Sequence, residues 1–177
     1  MPYDSAIFIH PQKFIIIVCH VDDLITTGPD ENQIDQVMGR LSKKIKLETI
    51  GQVKQFLGMQ IIPDYDHQSL KINQTKYTRS MLTRFEKENV RPVSSPVELG
   101  VNLLPSTEQA SHSETHRYQQ QVGSLIYLAI NTRPDIAFAV NRCARYMSNP
   151  NESHYRALER IWKYLKQYPD LGLTVIC

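Results

Sequence analysis

Apolar residues follow two different rhythms along this chain. In the first 72 residues they gather in short, β-branched runs. Ala6-Ile7-Phe8-Ile9 and Phe14-Ile15-Ile16-Ile17-Val18-Cys19, separated by a His10-Pro11-Gln12-Lys13 turn, predict paired strands, the second apolar enough to be buried on both faces. Leu24-Ile25-Thr26-Thr27, closed by Gly28-Pro29, predicts a third strand, so Val21-Asp22-Asp23 falls at the tip of a hairpin. Asp30 is placed to cap a helix carrying Ile34, Val37, Met38, Leu41 and Ile45 on one stripe, which needs a sheet to pack against. Strand character returns over 56–62, and Pro63-Asp64-Tyr65-Asp66 turns the chain into Ser69-Leu70-Lys71-Ile72.

From Gln74 the period becomes helical. Tyr77, Met81, Leu82 and Phe85 share one side of a helix expected to end before Pro92. A long loop over 91–113 holds Pro92, Pro96, Gly100 and Pro105 among many Ser and Thr. Three helices are then predicted over 114–130, 134–147 and 152–167, the second opening on Pro134 and the third bracketed by Pro150 and Pro169. The fold class is α+β, a strand-rich part over 1–72 joined to an all-helical part over 73–177.

Composition sharpens this picture only slightly. With 177 residues, 41% apolar and 21% charged, the chain can build a core and is not globally disordered. Its formal net charge of +2 gives no overall basic footprint, so any signal for nucleic acid must lie in how charges are distributed. The longest apolar stretch, Phe14 to Cys19, is far short of the ~20 residues of a membrane span, and no basic flank precedes an apolar signal core. The chain therefore reads as soluble and intracellular, without a membrane partner. Cys19, Cys143 and Cys177 lie far apart with no CxxC spacing, as expected of reduced structural thiols.

Asp22 and Asp23 are the sharpest chemical feature. Neighbouring strand side chains point to opposite faces unless a turn lets them converge. Converging carboxylates suit Mg²⁺, a hard cation that completes its octahedron with water and phosphate oxygens. The other reading, a solvated Asp-Asp turn, stays open on these residues alone.

His20-Val21-Asp22-Asp23-Leu24 resembles the Tyr-Val-Asp-Asp-Leu motif of reverse transcriptases, and the whole chain is similar to the polymerase of copia-type retrotransposons. Phe56-Leu57-Gly58-Met59 resembles that family's Phe-Leu-Gly strand, and Arg91-Pro92-Val93-Ser94-Ser95-Pro96 its Lys-Pro-Val-Ser-Thr-Pro loop. The blocks Val122-Gly123-Ser124-Leu125-Ile126-Tyr127-Leu128 and Thr132-Arg133-Pro134-Asp135-Ile136-Ala137 follow in the family's order. Met147-Ser148-Asn149-Pro150, His154, Tyr164-Leu165-Lys166 and Asp170-Leu171-Gly172-Leu173 complete the series.

The resemblance implies a partial right-handed polymerase fold. Residues 1–72 would be the later part of the palm, with an antiparallel sheet and packed helix, and 73–177 a thumb-like region; fingers would be missing. Asp22 and Asp23 would be catalytic and hold Mg²⁺, with Mn²⁺ as a substitute, Asp22 being the more direct ligand. A third carboxylate is expected on an earlier palm strand that lies before Met1. His20 stands where the family mostly has an aromatic ring beneath the primer end, and would serve as that platform or merely cap the strand. Implied partners are an RNA or DNA template-primer, deoxynucleoside triphosphates, and the fingers, RNase H and integrase regions of a polyprotein. The implied location is cytoplasmic, in a virus-like particle, with a nuclear stage.

Phe56, Leu57, Gly58 and Met59 would form the primer grip, Gly58 permitting close backbone approach; otherwise the three larger residues are packing residues. Gln119, Gly123 and Tyr127 recur at i, i+4 and i+8. By resemblance this stripe would track the minor groove of the duplex, the other reading being helix-helix packing through Gly123. Lys71, Lys76, Arg79, Arg84, Lys87 and Arg91 face only Glu86 and Glu88 in their span. Arg133, Arg142, Arg145, Arg156, Arg160, Lys163 and Lys166 likewise outnumber the acids near them. Both runs suit phosphate contacts, or simply solvated helix faces. Arg133-Pro134-Asp135 reads as a helix start, and Trp162 as a packing residue.

The activity implied is primer extension by Mg²⁺-dependent nucleotidyl transfer, with the isolated chain incomplete and inactive. A non-catalytic relic or domesticated nucleic-acid-binding fragment is the alternative. A metal-dependent nuclease ranks last, because no further cluster of His, Glu and Asp supports it.

Overall fold

The β-branched runs of the first third form a meander in the computed structural model, which describes residues 4–176. Strands β1 (Ile7–His10), β2 (Ile15–His20) and β3 (Asp23–Thr27) make an antiparallel sheet in the order β1-β2-β3. Ile9 opposes Ile16 and Val18 opposes Ile25, so cross-strand β-branched pairs set the register. Helix α1 (Glu31–Leu41) starts where expected, with the Asp30 carboxylate accepting from the Asn32 N–H. The expectation that 14–19 is buried on both faces fails. Ile15 alone is buried there, Phe14 is 72% exposed, and no α1 residue is buried, so one lightly packed helix leaves this sheet partly open within its unit.

The chain divides into two compact units, Met1–Val53 and Lys54–Cys177. The second opens with β4 (Gln55–Phe56), β5 (Met59–Asp64) and β6 (Ser69–Asn73). The run over 56–62 is thus two strands rather than one, because Leu57 and Gly58 both take positive φ and reverse the chain between Phe56 and Met59. Helix α2 (Thr75–Arg84) stops well before Pro92. Glu86 takes φ 60°, its N–H bonds the Thr83 carbonyl, and the Lys87 N–H bonds the Leu82 carbonyl, the two bonds of a Schellman stop.

Helix α3 (His112–Asn131) begins at a capping box in which Ser111 and Glu114 satisfy each other's backbone. The helix expected over 134–147 is shorter. A 3₁₀ turn, Pro134–Ile136, leads into α4 (Ala137–Ala144). Helix α5 (Glu152–Gln167) matches its expected bounds, with Asn151 as cap.

The region after residue 73 is not all-helical. Strand β7 (Gly172–Ile176) returns to pair with β6, giving a second antiparallel sheet in the order β4-β5-β6-β7. Two sheets therefore stand where a single one was expected, and β5 and β6 fold with β7 in the second unit.

The core lies among α2 to α5. Leu82, Phe85, Val122, Leu125, Leu128, Val140, Leu158, Ile161, Trp162 and Leu165 are buried together, each worth about 1.5–3 kcal/mol or less, since part of that area is already lost in the unfolded chain. Trp162 packs as expected, and its indole N–H donates to the buried Gln121 Oε1 at 2.9 Å. Cys143 is a buried free thiol, its pKa pushed up to about 11 by burial; Cys177 lies outside the described residues.

Candidate metal turn and nucleic-acid interface

The carboxylate pair belongs to the first unit. His20 pairs with Asp23, so Val21 and Asp22 are the central residues of a two-residue turn. Val21 has φ 54° and Asp22 does not share the positive sign, the φ pattern of a type II′ turn. Glycine ordinarily fills that first position, and a β-branched residue there is strained by about 1–2 kcal/mol. Asp22, Asp23 and His20 are all exposed, and Val21 is 83% exposed. Neither carboxylate has a hydrogen bond or ion pair among the described residues. Two exposed carboxylates supply hard oxygen donors of the kind Mg²⁺ takes. Among the described residues no three His, Cys, Asp or Glu side chains cluster as a metal site, so the pair is at most part of a ligand set.

The second unit carries the other candidate residues. Leu57 (φ 49°) and Gly58 (φ 76°) form a turn of type I′ sign between half-buried Phe56 and Met59. The Tyr127 hydroxyl donates to the Leu57 carbonyl at 3.2 Å, and a Cβ at Gly58 would lie 3.4 Å from that hydroxyl. The structure thus brings together two features far apart in sequence, the Phe56–Met59 turn and the α3 stripe. Tyr77 on α2 meets the Tyr127 ring edge-on, centroids 5.1 Å apart. That support is invisible in the sequence, where Tyr77 reads only as part of a helix's apolar side.

The stripe itself is uneven. Gln119 is half-buried and its amide donates to the Met147 carbonyl at 3.0 Å, tying α3 to the segment before α5. Gly123 is exposed, and a Cβ there would meet nothing within 4 Å. Helix-helix packing within the chain therefore does not explain Gly123.

Among the basic residues, Lys76 is exposed and its ammonium has no partner among the described residues. Arg79 reaches Asp170 at 3.2 Å, with both side chains largely exposed, and Arg84 lies over the Phe85 ring. Lys87 is paired with Glu159. Arg133 is not a surface cation at all. It is 1% exposed, its guanidinium grips Asp135 with bonds of 2.8 and 3.0 Å, and it donates to the Tyr168 carbonyl at 2.8 Å. Partial burial works to raise the Asp135 pKa, but the hydrogen bonds and charge of Arg133 outweigh it and hold the carboxyl below its ordinary value. His154 is likewise structural: fully buried, it accepts from the Asn151 N–H, contacts the Leu104 carbonyl and stacks on Tyr146, and burial lowers its pKa.

These elements define a mixed α+β chain with an exposed acidic hairpin turn in its first unit and an exposed α3 position, Gly123, in its second. A family model described as reverse transcriptase (RNA-dependent DNA polymerase) matches residues 2–99, more than half of the chain, which therefore belongs to that family, in its copia-type retrotransposon branch. The chain is 36% identical over 160 residues to the retrovirus-related Pol polyprotein from transposon TNT 1-94 of Nicotiana tabacum, covering 88% of this chain and 12% of that one. It is 32% identical over 174 residues to the Pol polyprotein from transposon RE2 of Arabidopsis thaliana, covering 96% and 12%. An uncharacterized mitochondrial protein of Arabidopsis thaliana is 32% identical over 160 residues, covering 90% of this chain and 64% of that protein. The chain thus spans about an eighth of the length of the two polyproteins. No solved structure matches it. Among the described residues no helix is long and apolar enough to cross a membrane.

Proposed function

We propose that this chain is the later palm and the thumb-like portion of an RNA-directed DNA polymerase, a segment of a Pol polyprotein that extends a primer from deoxynucleoside triphosphates. The single observation that supports this best is the Val21-Asp22 turn. It is strained at Val21, and it presents two carboxylates that nothing else among the described residues occupies. Strain held at an exposed turn fits a role in aiming a side chain more readily than a merely solvated bend.

In this reading Asp22, with Asp23 beside it, holds Mg²⁺, with Mn²⁺ able to replace it. Two such ions would be held, one to activate the primer 3′-hydroxyl and the other to neutralise the triphosphate as pyrophosphate leaves. His20 lies at the base of the same turn as a flat platform for the primer end. The Leu57-Gly58 turn offers backbone groups to the primer strand, and Gly123 and Tyr127 on α3 face the shallow minor groove of an RNA-DNA duplex. Gln119 positions α3 rather than touching the duplex, while Lys76, Arg79 and Arg84 supply phosphate contacts. A full ligand set requires a carboxylate beyond this pair, supplied with the fingers by other parts of the polyprotein.

The test is primer extension on a homopolymer template with Mg²⁺ or Mn²⁺. The chain alone is expected to give little or no product. Supplied with the upstream polymerase segment it is expected to extend, and Asp22→Asn is expected to abolish that extension. Extension that survives Asp22→Asn would refute the reading.

A second reading, duplex binding without catalysis, is favoured by one observation, the open face at Gly123. It predicts salt-sensitive binding to a primer-template duplex, weakened by charge reversal at Arg79 and Arg84 and indifferent to Asp22→Asn.

A further inference from the structure

We infer that Arg142 on α4 and Arg156 and Arg160 on α5 form a binding site for a phosphate group. They line a cleft of about 240 Å³ beside residues 96–103 of the long loop. Val97, Leu103 and Ala139 supply its apolar lining.

The three guanidiniums are only partly spent on the protein. The Arg160 Nε is buried and has no hydrogen-bond partner, and its terminal nitrogen approaches Glu98 no closer than 4.0 Å. With the Nε enclosed, the terminal nitrogens are the Arg160 donors left for an anion in the cleft. Arg142 uses one terminal nitrogen on the Val101 carbonyl at 2.5 Å. Arg156 is 74% exposed and lies 3.7 Å from Glu152.

Glu98 is the one carboxylate lining the cleft, against three cations. Glu152 offsets Arg156 from outside the cleft, so three cations face two acids; the positive charge that remains calls for an anion, and the forks of N–H donors call for several acceptor oxygens on it. A phosphate meets both demands and matches the fork of N–H donors on each guanidinium. The cleft has room for phosphate or pyrophosphate. None of its residues belongs to the acidic turn or to the Gln119-Gly123-Tyr127 stripe; the three arginines belong to the basic run over 133–166, and the cleft gives that run one defined place for a phosphate.

The phosphate has two sources, a free small anion or the end of a nucleic-acid strand. Calorimetric titration of the full chain with inorganic phosphate, with pyrophosphate, and with one oligonucleotide with and without a 5′-phosphate separates them. We expect binding in at least one phosphate arm, weakened about tenfold or more by Arg160→Gln and several-fold by Arg156→Gln. Pyrophosphate binding identifies a free anion as the ligand, and binding confined to the 5′-phosphorylated oligonucleotide identifies a strand end. Arg156→Gln removes an exposed side chain and decides the matter if Arg160→Gln fails to fold. Absence of binding in every arm, or binding unchanged in folded Arg156→Gln, overturns the assignment.

Discussion

The hydroxyl of Tyr127 donates to the carbonyl of Leu57, fastening the middle of α3 to the turn between β4 and β5. The turn needs positive φ at Leu57 and at Gly58, and Tyr127 is the outside support for that geometry. Tyr127→Phe is expected to cost about 0.5–1 kcal/mol, one partly exposed hydrogen bond. Gly58→Ala should cost more, about 1–2 kcal/mol, because a Cβ is disfavoured at φ 76°, although it would meet the hydroxyl only in ordinary contact. Urea denaturation of the two variants checks the order; a costlier Tyr127→Phe would mean that this contact, not backbone conformation, holds the turn.

Gly123 offers a cleaner separation of stability from binding. Alanine there meets nothing, so the helix should gain about 0.5–1 kcal/mol from the lower entropy cost of ordering it. If α3 lies against a duplex, Gly123→Leu should weaken primer-template binding at least fivefold while leaving the fold intact. Fluorescence anisotropy with a labelled duplex, alongside thermal melting, measures both. Unchanged affinity in the leucine variant removes α3 from the interface.

Val21 predicts the opposite compromise. Val21→Gly should relieve about 1–2 kcal/mol of left-handed strain and give back about 0.5–1 kcal/mol in chain entropy, a net gain of about 0–1.5 kcal/mol for the first unit. If the strain aims Asp22, the more stable variant should extend primers less well when assayed with the upstream segment. Equal or better extension would show that the valine is incidental to the carboxylate's placement.

Local pattern made α5, α3, the Asp30 cap and the Val21-Asp22 turn legible, because caps, periodicity and alternation are properties of neighbouring residues. Association over distance was not legible. Nothing near Gly172 announces a strand that pairs with β6, nor does the 56–62 run reveal that Leu57 and Gly58 reverse it. Arg133 illustrates the same limit. Its charge suggested a phosphate contact, yet a carboxylate two residues away and a carbonyl 35 residues away take its donors inside the core. For the site, sequence supplied the residues and the structure supplied one relationship among them, Tyr127 with the Leu57-Gly58 turn.

The β6–β7 pairing makes Gly172 a strict requirement. A Cβ built there would sit 2.2 Å from the Ile72 carbonyl oxygen and 2.7 Å from the Asn73 Cβ, and the first of these is backbone that cannot swing aside. Gly172→Ala is expected to cost about 1–3 kcal/mol or to detach β7 outright. Hydrogen exchange distinguishes the two outcomes, since detachment exposes the β6 amides that face β7. Retained protection with no loss of stability would show that the strand is not held in this register.

The Arg133–Asp135 pair should make the helical core sensitive to acid. The folded-state pKa of Asp135 lies below its ordinary value of 3.8, so its contribution is fully present above that value and is lost as pH falls through the lower, folded-state one. Asp135 keeps 31% of its side chain in solvent whereas Arg133 keeps 1%, so the two partners fail differently when left alone. Asp135→Ala strands a buried guanidinium and should cost about 3–5 kcal/mol. Arg133→Met leaves a carboxylate that water can reach and should cost less. Chemical denaturation at neutral pH ranks the two, and repeating it at falling pH should show the wild-type advantage over Asp135→Ala shrinking as the carboxyl takes up its proton. An advantage that stays constant down to the acid limit would mean that the ion pair adds no net stability.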